Sequence, residues 1–309
     1  MTAGGAPIAV IDVGTNSTRL LIARRIAGGL ERIEERLVIT RLGQGVDASR
    51  CLAPEAIART VDALAEFKIA CDANGVSRIR ITATSAARDA TNGADFLNAA
   101  RTIVGVQPEV LSGEAEAELS FAGATAGLAA SDGPFLVVDI GGGSTEFAWG
   151  SGRCDGSASL DIGAVRITER FLPSDPHTPQ ELHAAVSVVN LYLDDLDRDS
   201  PAWRAHRTLV GVAGTITTVA AVEIGLATYD RNAVHHFVLT SAAAEDVFRT
   251  LATESLADRK HNPGLDPARA DVIVGGCVVL VAILRRLGAR HLLVSQTDLL
   301  HATAASLLG

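Results

Sequence analysis

The sequence is poor in the features that mark secreted, membrane-spanning or disulfide-built proteins. Its longest uninterrupted apolar run, Val272 to Leu284, falls well short of the roughly 20 residues that a bilayer-spanning helix requires. That run reads as a buried helix. The N-terminal stretch MTAGGAPIAVID has no basic segment followed by an apolar core, so secretion is not expected. Cysteine is scarce: Cys51, Cys71, Cys154 and Cys277 lie far apart, with no CxxC pair and no nearby histidine cluster. Zinc sites and disulfides are therefore not expected, and the four are read as small buried hydrophobes in a reducing cytoplasm. Positive charge is in deficit, with a formal net charge of −9, which repels polyanions at long range. Neither nucleic acid nor a membrane surface is an expected partner. A phosphate-rich ligand would need a local basic lining and bound cations.

What the chain does have is apolar residues, at 48% against 20% charged over 309 residues, enough for two domains with sizeable cores. It also has a duplicated pattern. IAVIDVGTNSTRLLIA opens at Ile8 and FLVVDIGGGSTEFAWG opens at Phe135. Each is an apolar strand ending at an Asp, then a Gly/Ser/Thr turn, then a second apolar strand. Such turns can point several backbone N–H groups at one anion. Two of them, with Asp12 and Asp139 at their mouths, suit a cleft that grips phosphate and a divalent metal between two related domains.

Around these hairpins the pattern alternates strand and helix. Residues 32–39 can add a third antiparallel strand. A helix with Pro54 in its first turn carries Ile57, Val61, Leu64 and Cys71 at helical spacing and ends at Gly75. A buried strand at 79–83 leads into the polar TATSAARDATN, and a helix is expected over 94–104. Ser112 is a candidate N-cap for a helix over 114–128. After the second hairpin come a strand at 157–162 and a long helix whose Thr178-Pro179-Gln180-Glu181 start reads as a capping box. TLVGVAGTITTVAAVEIGL reads as a strand, a Gly214-Thr215 turn and a helix, the kind of strand end where open α/β sheets bind ligands. Pro267 and Gly288 bracket the last buried helix, and HLLVSQTDLL supplies a strand and the start of a terminal helix.

The chemistry-bearing candidates follow from these placements. Asp12 and Asp139 either cap their turns or hold magnesium, which prefers oxygen ligands and bridges to phosphate. Gly141, Gly142 and Gly143 are entropically costly unless something must approach the backbone closely. Ser144 and Thr145, with Gly14, Thr15, Asn16 and Ser17 in the first turn, add donors. Arg19 and Arg88 are candidates for charge-assisted phosphate contacts, with surface ion pairs as the alternative. Glu114, Glu116 and Glu118 crowd one helix start, where negative charge is favoured by the dipole. Glu116 lies on a different face from Ala115 and Ala117, whose small side chains leave room for a substrate. Glu116 and Glu146 are both placed to activate a water for attack at phosphorus, and spacing alone does not choose between them. His235 and His236, read as adjacent strand residues, point to opposite faces and are expected to be structural. Arg24-Arg25, Arg285-Arg286, Arg290 and His291 read as solvated faces, or as rails for a long anion.

With these motifs laid out, the chain resembles, nearly end to end, the exopolyphosphatase and guanosine pentaphosphate phosphatase family of the sugar kinase, Hsp70 and actin superfamily. IDVGTNSTRLLIA and VDIGGGSTEF resemble its two phosphate loops, TSAARDATN the segment whose arginine contacts phosphate, and SGEAEAELSF its Gly-x-x-Glu-Ala helix start. YDRNAVHH, PARADVIVGG and VSQTDLL resemble later family segments. The resemblance implies an α/β fold with two ribonuclease-H-like domains around a cleft, here residues 1–122 plus 299–309, and 123–298. It implies removal of terminal phosphate from inorganic polyphosphate, or of the 5′ γ-phosphate of guanosine pentaphosphate, with Mg2+ or another divalent cation. It puts the base on Glu116, a water- or metal-directed role on Glu146, a phosphate contact on Arg88, and Gly214-Thr215 near the cleft. A homodimer is compatible with it. Its alternatives are a non-catalytic sensor of polyphosphate or alarmone and, on the phosphate loops alone, a small-molecule kinase. The chain departs from the family at Gln296, His301 and Ala302, where acidic residues and glycine are common, and at His236, where glycine is common. Longer relatives continue into further C-terminal domains, so a weaker grip on very long polyphosphate is expected.

Overall fold

The computed structural model describes residues 5–27 and 29–308; the MTAG that begins the stretch weighed above as a leader lies outside them. The chain divides into two compact units, Met1–Leu119 with Leu299–Gly309, and Ser120–Asp298. Each is built on its own sheet.

The first unit begins with β1 (Ile8–Val13), β2 (Thr18–Ile26) and β3 (Gly29–Val38), an antiparallel meander. A short turn of helix α1 (Val46–Ser49) precedes α2 (Pro54–Ala73), which starts with proline in its first turn as the sequence suggests. β4 (Arg78–Ala83) then lies parallel to β1, giving the strand order β3-β2-β1-β4-β5 with β5 at Glu109–Val110. Between β4 and β5 run α3 (Ser85–Asp89) and α4 (Gly93–Val104). The helical turn of α3 falls inside the segment read only as polar. β1 is central, so every one of its residues is buried, which is why IAVIDV reads as a continuous apolar run rather than an alternating one. β3 is the edge strand, and its charged, mostly exposed face suits an unpaired edge. It begins earlier than the expected 32–39. α5 (Gly113–Thr125) ends three residues before the expected Leu128.

The second unit repeats the scheme. β6 (Phe135–Ile140), β7 (Thr145–Gly150) and β8 (Gly156–Leu160) form a second meander, and β9 (Thr208–Val212) lies parallel to β6. Between them lie α6 (Ala164–Phe171) and α7 (Pro179–Asp199). The start of α7 is the expected capping box, with Thr178 Oγ1 accepting from the Glu181 amide at 3.3 Å and Glu181 accepting from the Thr178 amide at 2.7 Å. After β9 come α8 (Ala213–Ile224), a short α9 (Arg231–Val234), β10 (Val238–Thr240), α10 (Ser241–Thr253), a short α11 (Leu256–Arg259), α12 (Ile273–Leu287) and β11 (His291–Val294). The sheet order is β10-β11-β9-β6-β7-β8. The apolar run that is too short for a bilayer is α12, buried from Ile273 to Leu284 and closed by Gly288 in the left-handed conformation. Among the described residues no helix is long and apolar enough to cross a membrane. The terminal α13 (Leu299–Leu308) packs in the first unit, where Leu300 and Ala304 join Ile8, Val10, Leu21 and Ala23.

Taken strand by strand, the meander plus parallel strands is the ribonuclease-H-like order in both units. Several local expectations need correction. No Gly-Thr turn separates β9 from α8: the strand passes directly into the helix through Ala213, which takes φ 69°, so Gly214 and Thr215 lie in the first helical turn. His235 and His236 are not on a strand. They follow α9, with His236 at φ 62° and the two rings stacked 3.8 Å apart. The left-handed backbone is what brings neighbouring rings to one side, and it is the reason a glycine suits that position. Of the cysteines, Cys71 and Cys277 are buried, Cys154 is half-buried and Cys51 is exposed, because Cys51 sits in the connection between α1 and α2 rather than on a packed face.

Candidate functional site

The two hairpin turns are copies at the level of individual hydrogen bonds. In the first, the Gly14 amide closes on the Ser17 carbonyl at 2.9 Å; in the second, Gly141 closes on Ser144 at 3.1 Å. Each turn is then tied from outside by a following segment. The Arg41 and Gly43 amides donate to the carbonyls of Asn16 and Thr15, at 2.9 and 2.8 Å. In the second unit the amides of Gly163, Ala164 and Val165 donate to the carbonyls of Gly143, Gly141 and Gly142, at 3.2, 2.9 and 2.8 Å. The approach is close enough that a Cβ on Gly43 would come 2.3 Å from the Thr15 side chain, and one on Gly163 would come 2.3 Å from the Gly142 carbonyl. With their carbonyls occupied, the loops leave their amides elsewhere: those of Thr15, Asn16 and Ser17, and of Gly142, Gly143 and Ser144, donate in none of the described hydrogen bonds. Runs of such amides are anion-binding concavities. Thr18 and Thr145 pin the hairpins from behind, through Thr40 Oγ1 at 2.9 Å and the Ile162 carbonyl at 2.6 Å.

The carboxylates differ. Asp12 stands opposite Arg19 in the β1–β2 ladder and receives its guanidinium at 2.9 Å, with Thr82 Oγ1 at 3.2 Å on the other oxygen. Asp139 stands opposite Glu146 in the β6–β7 ladder. Directly opposed residues put their side chains on one face about 5 Å apart, so these two carboxylates are neighbours. Ser120 Oγ donates to Asp139 at 2.6 Å and Ser159 Oγ donates to Glu146 at 2.8 Å. Both residues are buried, Asp139 at 9% exposure and Glu146 at 1%. Two buried, adjacent carboxylates beside an amide-lined loop are a donor set that fits a hard divalent cation retaining part of its water shell. Asp12 offers less, since Arg19 and Thr82 already engage its oxygens.

Arg88, near the end of α3, reaches the start of α5. Its guanidinium donates to the Leu111 carbonyl at 2.8 Å and stands 3.7 Å from Glu116 Oε2. The same helix start is capped by Ser112, whose Oγ accepts from the Ala115 amide at 3.2 Å. Glu114, on the exposed side of this turn, is held below the usual carboxylate range by hydrogen bonds from its own amide and from Ser112. The first unit therefore brings together Asp12 with Arg19 and Arg88 with Glu116. The second brings together Asp139 and Glu146 beside Gly141–Thr145. Gly214 and Thr215 stand at the start of α8, where a Cβ on Gly214 would come 2.2 Å from the Arg269 guanidinium.

Sequence reading missed four contributors: Arg166, Arg269, Ser120 and Ser159. Arg166 is 6% exposed and donates from Nε to the Gly143 carbonyl at 2.8 Å. Only the hairpin register, which makes Ser159 the partner of Glu146, was open to inference from spacing. The other contacts bridge elements distant in the chain. The doublets read as solvated faces are tied to neighbours: Arg24 to Glu31, Arg25 to the Leu308 carbonyl, Arg285 to Glu245, and Arg286 to Asp194 and Asp197.

Each of the two compact units is built on a sheet opened by an amide-lined hairpin with a buried Asp. The chain belongs to the Ppx/GppA phosphatase family, whose pattern matches residues 21–308. Members of this family are phosphoanhydride hydrolases that generally depend on a divalent metal. The chain is 43% identical to exopolyphosphatase 2 of Mycobacterium tuberculosis, covering 98% of each. A crystal structure of an exopolyphosphatase-like protein matches with a TM-score of 0.93 at 36% identity, over 98% of both chains. A guanosine-5'-triphosphate,3'-diphosphate pyrophosphatase of Pseudoalteromonas translucida is 31% identical, over 90% of this chain and 54% of that protein.

Proposed function

We propose that this protein is a cytoplasmic exopolyphosphatase that removes the terminal phosphate of inorganic polyphosphate. The observation that carries the reading is the pair of hairpin loops with matching hydrogen-bond patterns, each presenting consecutive amides that donate in none of the described bonds. Polyphosphate is a repeating anion, and an amide nest in each unit suits a ligand whose groups are all phosphates. Gly14, Thr15, Asn16 and Ser17 are assigned to phosphate in the first unit, and Gly141, Gly142, Gly143 and Ser144 in the second, with Arg88, Gly214 and Thr215 contributing, while Thr145, whose hydroxyl is given to the Ile162 carbonyl, supports its turn.

Glu116 is assigned as the general base. Its carboxylate takes a proton from water as the water oxygen bonds to the terminal phosphorus and the bridging P–O bond breaks, leaving the shortened chain as its anion. Arg88 sets the orientation of Glu116 and offers charge to the equatorial oxygens, where negative charge accumulates. Asp139 and Glu146 would hold the divalent cation, which we assign to Mg2+, while Asp12 keeps Arg19 and Thr82 as its partners. When bound, the cation neutralises phosphate charge and so makes a chain of net charge −9 compatible with a polyanion.

The sequence relationship to the Pseudoalteromonas enzyme keeps a second reading, hydrolysis of guanosine pentaphosphate by the same groups. Both are tested by following phosphate release by purified protein with Mg2+ from short polyphosphate, long polyphosphate and guanosine pentaphosphate in parallel. Faster release from polyphosphate is expected. Release from the nucleotide alone would replace the first reading by the second, and binding without release would replace both by a sensor.

A further inference from the structure

We infer that Arg166, a residue of α6 outside the loop, is the positioning residue that sets the second phosphate loop in its anion-binding form. The inference rests on the reading of Gly141–Ser144 as a phosphate clamp. Three consecutive glycines have more backbone freedom than any other tripeptide, so a loop made of them binds an anion well only if something outside removes that freedom. The structure supplies the restraint on the carbonyl side. The amides of Gly163, Ala164 and Val165 occupy all three glycine carbonyls, and the Arg166 amide adds a second bond to Gly142 at 3.2 Å.

The Arg166 side chain then does what a backbone amide cannot. Its Nε donates to the Gly143 carbonyl at 2.8 Å from a position 6% exposed, and its guanidinium stands 3.5 Å from Asp161 at the surface. A full positive charge on the Gly143 carbonyl polarises the Gly143–Ser144 peptide, which makes the Ser144 amide a stronger donor. That amide is one of the three the loop leaves for an anion. Arg166 therefore acts on phosphate through the peptide bond and need not touch it.

The surroundings are built to keep this arrangement rigid. Gly275 of α12 lies so near α6 that a Cβ there would come 2.3 Å from Thr168 Oγ1 and 2.5 Å from the Ala164 carbonyl. Gly276, beside it, would come 2.5 Å from Thr215. α12 thus backs both the segment that ties the glycine loop and the start of α8.

The test compares wild type with Arg166→Gln, Arg166→Lys and Arg166→Ala, with Asp161→Asn as a surface control. Three quantities are measured: polyphosphate hydrolysis as separate kcat and KM, binding of tripolyphosphate by calorimetry with Mg2+, and thermal unfolding. Loss of the outer partner of a metal ligand commonly costs about 10–100-fold, and by analogy Arg166→Gln is expected to show a loss of that order in tripolyphosphate affinity and in kcat/KM. Arg166→Lys, which keeps a charged donor, is expected to recover part of it. Guanidinium ion added to Arg166→Ala should restore activity in a saturable way, which a merely structural residue would not allow. Asp161→Asn should stay within about twofold of wild type.

An Arg166→Gln protein that folds and binds tripolyphosphate as wild type does would overturn the inference. So would a loss that tracks only the unfolding temperature and responds to neither lysine nor guanidinium. If wild type binds tripolyphosphate without hydrolysing it, the hydrolase reading fails and the inference is decided on the binding ratio alone. If wild type does not bind it, the clamp and the inference fall together.

Discussion

Asp12 faces Arg19 across the first hairpin, whereas Asp139 faces Glu146 across the second, although both turns close with the same bond between their first glycine and the serine three residues on. The geometry was duplicated and the charge was not. In the first unit the carboxylate is consumed by its own arginine, so the hairpin is locally neutral and can accept phosphate without a cation. In the second, two buried carboxylates on one face repel each other unless a cation or a proton sits between them. The difference teaches that a repeated loop need not mean a repeated role: under the proposed function one copy would take phosphate directly and the other a metal-bridged phosphate.

The largest expected effect tests which unit holds the base. Glu116→Gln should lower phosphate release by about 10²–10⁴-fold, the usual contribution of a general base, with the unfolding temperature little changed. Stopped assays against wild type, with melting curves alongside, check it. Full activity would move the base from α5 to Glu146 and so to the hairpin of the second unit.

Next, the two aspartates should fail differently. Asp139→Asn should raise the Mg2+ concentration needed for half-maximal activity, while Asp12→Asn should leave that requirement nearly unchanged and instead destabilise the fold by about 1–3 kcal/mol, as Arg19 loses its carboxylate. Cation titrations and denaturant melts of both variants separate these outcomes. Equal shifts in cation requirement would erase the proposed asymmetry.

Away from the loops, smaller effects set the background. Thr178→Ala removes the capping box of α7 and should cost about 1 kcal/mol without altering kcat. Asp197 is held at about 2, chiefly by the hydrogen bond from Arg204, below its ordinary value. Its contribution is therefore complete above the normal carboxylate range and is lost as pH falls toward 2. The stability gap between wild type and Asp197→Asn should close over that interval in acid melts; a gap independent of pH would contradict the assignment. His236→Gly, which relieves a left-handed backbone at φ 62°, should stabilise by at most about 1 kcal/mol.

Much of this was legible in the chain. The repeated strand–turn–strand motif announces both hairpins because central buried strands read as apolar runs and the turns need glycine or small polar residues. The capping box at Thr178 and Glu181 and the buried run of α12 are local signals and appear where local rules put them. Arg19 and Glu146 were recognisable as candidates, but their contrast emerges only when register sets each opposite its Asp. Arg166 and Arg269 left no local signal, since what they meet, Gly143 and Gly214, lies many residues away. Cys51 misled because composition says where cysteines usually go, not where this one sits. His236 was misread as a strand residue because apolar neighbours conceal a single positive φ.

The central claim is that Glu116 drives water at the terminal phosphorus of polyphosphate. The most direct measurement is a reaction of purified protein with Mg2+ and polyphosphate in 18O-labelled water, with Glu116→Gln beside it and the released phosphate weighed by mass spectrometry. One labelled oxygen per phosphate from wild type, with release all but abolished in the variant, is the predicted result. Release at wild-type rate from the variant, or phosphate without label, would contradict the account.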